Sequence, residues 1–153
     1  MSSENSRVEI IRPQMSHWPG IISVLRLANF QDIGGPEMAQ FPVEDCFVAL
    51  VDGSVLGVGG YRILNATEAK TTLLAVNPTA ARHKLGARLQ DARLNFLRQN
   101  GIRTVFTNTD DPRVIRWLER NYGFVQTGEK VQKVSDFGRS EIAAWTTMRL
   151  DFS

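Results

Sequence analysis

The chain has 153 residues, the length of one domain, and its 42% apolar and 22% charged residues are the usage of a folded globular protein, not of a disordered or collagen-like one. Eighteen Lys and Arg against sixteen Asp and Glu leave a formal net charge of +2, too small a balance to argue for a nucleic-acid partner. The longest apolar run, residues 46–51, is far short of the roughly 20 that span a bilayer, and residues 1–7 are too polar for a signal-peptide core.

One domain over residues 1–153 is therefore expected, with no membrane and no nucleic-acid partner. The single cysteine, Cys46, has no disulfide or CxxC partner, which suits a reducing cytoplasm and a small core hydrophobe. His17 and His83 each lack a second ligand at metal spacing, so no metal is expected.

Residues 8–12 read as a strand closed by Pro13, and residues 16–29 carry Trp18, Ile21, Ile22, Leu25 and Ala28 at helical spacing. Residues 30–45, with Gly34, Gly35, Pro36 and Pro42, read as a long loop holding the acidic Asp32, Glu37, Glu44 and Asp45. Asp52-Gly53 between the apolar runs 46–51 and 54–64 predicts a tight hairpin.

Residues 68–76 form the next strand, ended by Asn77-Pro78, and residues 85–100 the next helix, closed by Gly101. A short strand over 104–108 leads to a helix over 112–122, capped by Asp111, opened by Pro112 and stopped by Gly123. Residues 124–133 and 144–152 alternate as the last two strands. The order βα, ββ, βα, βα, ββ predicts an α/β (α+β) fold with a mixed, mostly antiparallel sheet flanked by helices.

Between the strand 68–76 and the helix 85–100, residues 78–84 put small and basic side chains at a helix N-terminus, where free N–H groups and the positive end of the helix dipole favour a phosphate. Ala80, Ala81, Gly86 and Ala87 let backbone approach a ligand, while Arg82, His83, Lys84 and Arg88 supply cationic reach.

This segment resembles motif A of the GNAT acyltransferases, an apolar strand ending in Val-x-Pro followed by Q/R-x-x-G-x-G/A and a helix. Counted without a gap, Ala81 falls on the family's Gln/Arg position, Lys84 on its first glycine and Gly86 on its second; aligning Arg82 instead requires one deletion. Residues 115–124, ending in Gly123-Phe124, resemble its motif B helix, and the resemblance runs over about residues 8–152.

The resemblance implies an acyl-coenzyme A-dependent N-acyltransferase that passes acetyl, from acetyl-CoA, to a primary amine by direct attack. It implies acyl-CoA contacts at Leu74, Ala75, Val76, Arg82, His83, Lys84, Leu85, Gly86 and Ala87, with a strand N–H of Leu74, Ala75 or Val76 facing the carbonyl oxygen. Asn108, ending the strand before motif B, either meets the pantetheine arm or caps a turn.

Many family members have a tyrosine acid four residues before the motif B glycine. Here Glu119 stands there, and Tyr122, next to Gly123, lies on another helical face. Glu119 and Tyr122 are the candidate acids, and Glu68, with Asp45, the candidate base in place of a carboxylate inside residues 71–76.

Acceptor recognition is expected from residues 29–45 and 135–145, with Trp145 either a pocket wall or core. Two other readings stand beside catalysis. One is a GNAT-like module that binds acyl-CoA or a protein without turnover; the other is a homodimer formed by residues 144–152 extending a neighbour's sheet.

Overall fold

A computed structural model of the protein describes residues 6–27, 45–133 and 141–152. In chain order these form β1 (Val8–Ile11), α1 (Trp18–Leu27) entered through the 3₁₀ turn Met15–His17, β2 (Cys46–Val51), β3 (Ser54–Ile63) and β4 (Glu68–Val76). Then come a 3₁₀ segment (Pro78–His83), α2 (Leu85–Gln99), β5 (Thr104–Thr109), α3 (Pro112–Tyr122), β6 (Val125–Gln132) and β7 (Ala144–Asp151).

The seven strands make one sheet in the order β1-β2-β3-β4-β5-β7-β6. Every neighbouring pair is antiparallel except β4 and β5, which run parallel and are joined through α2. The mixed, mostly antiparallel architecture expected from the element order is thus present.

Helices cover both faces, which explains why β2 reads as the near-continuous apolar run CFVALV instead of alternating. On one face Ile21, Val24 and Leu25 of α1 pack with Val48, Leu50, Val58, Leu73 and Ala75. On the other, Leu85 and Leu89 of α2 pack with Ala49 and Val51, while Leu94, Leu97 and Leu118 close on Tyr61, Ala69, Val105 and Met148.

Local chemistry sets the turns. Asp52 and Gly53 both take positive φ, 51° and 85°, as a tight hairpin turn requires, and Asp52 Oδ1 accepts from Arg7 N–H at 2.9 Å, tying β1 to that turn. Gly123 ends α3 at φ 81°, which its missing Cβ permits, and this turn drops Phe124 into the core at 1% exposure.

Two expectations need correction. The connection after β4, expected as a compact loop, is a pair of 3₁₀ turns kinked at Ala80, because Asn77 Oδ1 accepts from Thr79 N–H at 2.9 Å and Pro78 supplies a fixed φ at the first turn. The proposed dimer strand, β7, lies inside the sheet: β5 and β6 occupy both its edges, so it has no free ladder to offer a second copy.

Candidate active site

The parallel pair β4–β5 runs only from Glu68↔Thr104 to Thr71↔Thr107. Beyond that point β4 stays with β3 as far as Val76↔Gly57, and β5 stays with β7 as far as Thr109↔Thr146. The strands part into a cleft whose last bridge is Thr107 Oγ1 donating to Thr71 O at 3.4 Å.

The parting coincides with a bulge in β4. Gly59 faces Leu74 while Tyr61 faces Thr71, so two steps along β3 are matched by three along β4. Ala69 before the bulge therefore packs in the cluster that includes α2 and α3, whereas Leu73 and Ala75 after it pack against α1.

Register also decides which β4 amides face the cleft. Asn77 N–H donates to Leu56 O at 2.8 Å, which makes that pair a hydrogen-bonded one. In an antiparallel ladder such pairs alternate, so Ala75 exchanges its bonds with Val58, and the N–H and C=O groups of Leu74 and Val76 point away from β3, toward the departed β5. Of the three candidate carbonyl-binding amides, those of Leu74 and Val76 point toward the cleft and that of Ala75 toward β3.

From the cleft β4 leads through residues Pro78–His83 to the N-terminus of α2. Lys84 precedes it at φ 53°, ψ 44°, the left-handed conformation for which its glycine-aligned position is suited, and donates its N–H to Ala81 O at 3.2 Å. The lysine thus adopts the glycine geometry in full, at a cost of about 1–2 kcal/mol for its Cβ.

No side chain caps this helix start and no acidic residue stands in its first turn. The N–H groups of Leu85, Gly86 and Ala87 have no intrahelical acceptor, the first bond being Arg88 N–H to Lys84 O at 3.2 Å. A Cβ built on Gly86 would meet nothing within 4 Å, so the space over this turn is open. Leu85 itself is buried in the core, Arg82 and Lys84 are exposed, and Arg88 Nε fastens the turn by donating to His83 O at 3.1 Å.

The candidate acids Tyr122 and Glu119 each have a polar partner of their own. Tyr122 donates its hydroxyl to Asp91 of α2 at 3.1 Å and meets Trp117 edge-on. Burial first, then the Asp91 carboxylate, pushes its pKa up to about 12. Glu119 is exposed and accepts from Gln126 of β6 at 3.3 Å.

Glu68 starts β4 and accepts from Asn65 at 2.8 Å, six strand residues or about 20 Å from Leu74. Asp45 lies at the start of β2, two strands across from β4. Asn108, one residue past the last β4–β5 pair, accepts from Thr147 Oγ1 at 2.8 Å, so its carbonyl serves β7.

The sequence reading missed an ion pair beyond the end of β5: Lys133 Nζ reaches Asp110 Oδ2 at 2.8 Å with side chains only 6% and 10% exposed. The same ammonium lies 4.5 Å from the ring centre of Trp145, which packs against the α1-side cluster. It also missed Arg93, buried between α2 and the β3–β4 bulge. Among the described residues, Thr71 Oγ1, Thr72 Oγ1 and Gln90 Nε2 are buried polar atoms without a hydrogen-bond partner. No described cluster of His, Cys, Asp and Glu could hold a metal ion, and no described helix is long and apolar enough to cross a membrane. Of the two segments expected to recognise the acceptor, residues 29–44 and 135–140 lie outside the described residues.

A family model described as Acetyltransferase (GNAT) family matches residues 13–124. The fold is similar to that of Ard1 from Thermoplasma volcanium, at 25% identity over 95% of this chain and 98% of that one, with a TM-score of 0.73. It is also similar to the ribosomal-protein-S18-alanine N-acetyltransferase from Escherichia coli, at 16% identity over 96% and 95%, TM-score 0.72. A third similar structure is Rv2747 from Mycobacterium tuberculosis in complex with CoA and NLQ, at 18% identity over 95% and 99%, TM-score 0.68. No curated protein sequence matches.

Proposed function

The chain belongs to the acetyltransferase (GNAT) family, and on that premise we propose that it transfers an acyl group, acetyl first among them, from acyl-CoA to a primary amine of a small molecule or peptide. One observation carries the proposal: the unpaired amides of Leu74 and Val76 line the parted strands and lead directly to the uncapped N-terminus of α2. A thioester with an amide-rich arm and a pyrophosphate needs those two donor sets in that order. The complex of Rv2747 with CoA supports the same ligand class.

Acyl-CoA supplies the activated carbonyl carbon and the thiolate leaving group. The residues of this chain hold and polarise it: the amides of Leu85, Gly86 and Ala87, with Arg82, His83 and Lys84 around them, receive the phosphates, and Leu74 and Val76 receive the arm. The Leu74 N–H, nearest the bulge, faces the carbonyl oxygen as negative charge builds on it. The amine nitrogen bonds to the carbonyl carbon, the C–S bond breaks with its electron pair going to sulfur, and the amine proton passes to solvent.

With Tyr122 tied to Asp91, and Glu119 exposed beside Gln126, sulfur leaves as thiolate. For a thiol of pKa about 8.5 that costs only about 2 kcal/mol at pH 7 relative to the protonated form, so a side-chain acid is dispensable. The same placement favours the second reading, a module that binds acyl-CoA with little turnover. In either case the cytoplasm is the compartment we assign, where buried Cys46 stays reduced.

A thermal-shift panel with acetyl-CoA, longer acyl-CoA thioesters and free CoA, followed by thiol-release assays over primary amines, separates these readings. Ligand at 100 times its Kd adds about 2.7 kcal/mol, or a rise of roughly 5–10 °C. A shift with thiol release is the expected result. A shift without release from any amine supports the binding module, and no shift with any thioester refutes both.

A further inference from the structure

The bulge that opens the cleft leaves a structural debt inside the sheet. The register of β3 and β4 shifts at Gly60, so Gly60 and Leu73, which one unbroken register would set opposite each other, lie at the bulge. One buried side chain reaches both of their carbonyls. Arg93 Nη1, reaching from α2, donates to Gly60 O at 2.8 Å and to Leu73 O at 2.8 Å, while its Nε donates to Gln90 Oε1 at 2.7 Å.

Arg93 is 3% exposed, and its guanidinium is matched to carbonyls instead of to a carboxylate. Burial pushes its pKa down to about 9, still above neutral pH, so the group holds its charge. Holding an arginine in such a place is costly, and mere satisfaction of two carbonyls could be met by water. Gly59 lies beside it, where an added Cβ would sit 3.3 Å from Leu74 Cδ1 and in ordinary contact, 3.6 Å, with Nη1.

The geometry has a direct consequence on the other side of one peptide plane. The C=O of Leu73 and the N–H of Leu74 belong to the same trans peptide and point in opposite directions. Anchoring that C=O toward Arg93 therefore aims the Leu74 N–H into the cleft. We propose that Arg93 is a positioning residue for acyl transfer, a guanidinium clamp that fixes the Leu73–Leu74 peptide so that the Leu74 amide meets the thioester carbonyl oxygen. This inference rests on the function proposed above.

Two variants test it. Arg93→Met keeps the length of the side chain without its donors, and Arg93→Lys keeps the charge with a different fork. For each, kcat and KM for acetyl-CoA are measured beside the Kd of free CoA, which lacks the acyl carbonyl, and the ¹⁵N shift and hydrogen exchange of the Leu74 amide in the free protein. The expected result for Arg93→Met is a folded protein with CoA Kd and acetyl-CoA KM within about threefold of wild type and kcat reduced about 30- to 100-fold, approaching the roughly 10²- to 10³-fold loss of a whole oxyanion donor. Arg93→Lys recovers part of that loss, and the Leu74 amide moves in both.

Unchanged kcat in a folded variant overturns the proposal, as does a loss of CoA affinity that matches the loss in kcat, which a general structural role would produce. If Arg93→Met does not fold, the same split of kcat against CoA Kd in Arg93→Lys decides. Should the wild type release no thiol with any amine, the functional reading fails separately, and the clamp is then judged on the Leu74 amide alone: identical shift and exchange in wild type and variant refute it.

Discussion

Lys84 stands in the left-handed region where the family motif has its first glycine, and the loop closes around it all the same. Its Cβ costs about 1–2 kcal/mol there, but a glycine would give back about 0.5–1 kcal/mol through a freer unfolded chain. Lys84→Gly is therefore expected to raise stability by no more than about 1.5 kcal/mol in urea titrations. Loss of the exposed ammonium should weaken acetyl-CoA binding roughly fivefold, by calorimetry at low salt; tighter binding by the variant would mean that the lysine obstructs the phosphates. The glycine-to-lysine departure was legible in the sequence, whereas the lysine's conformation was not, since αL geometry leaves no mark on neighbouring side chains. Arg93 did leave one. It lies four residues from both Leu89 and Leu97, on the buried stripe of α2, and a cation at such a position signals an internal partner.

At the scale of elements, α2 and α3 are joined where Tyr122 donates to Asp91, and this contact carries a pH dependence. The folded pKa is raised from 10.0 to about 12, so between those values the folded state keeps a proton that the unfolded chain has lost. The contribution is complete below pH 10 and declines as pH rises toward 12. Tyr122→Phe keeps the ring against Trp117; it should lose about 1 kcal/mol at pH 8 and show a shallower fall of stability from pH 10 to 12 than wild type. Parallel curves would place the phenol outside that balance. Strands and helices were largely readable because Asp52-Gly53, Asn77-Pro78, Pro112 and Gly123 punctuate the chain. The bulge was only half readable: the doublets Thr71-Thr72 and Leu73-Leu74 break the alternation of β4, yet no residue there demands an extra step. The interior position of β7 was hidden for another reason, since alternation reports which face a strand buries and not which neighbours it pairs with.

Across the whole molecule, the proposed acyl transfer depends on three features: a β4 that leaves β5, an α2 that follows β4 through residues Pro78–His83, and an arginine from α2 that reaches the bulge. The candidate phosphate loop could be read from residues 78–87 because helix-start chemistry is local. The cleft could not, because it is the absence of pairing between strands 36 residues apart at their last bridge. The account stands most directly on one measurement, a titration of ¹⁵N-labelled protein with acetyl-CoA followed amide by amide. It predicts the largest shifts at Leu74, Val76, Leu85, Gly86 and Ala87, with Ala75, whose N–H is committed to Val58, moving least within β4. Shifts centred elsewhere, or an Ala75 amide that moves as far as Leu74 and Val76, would contradict it.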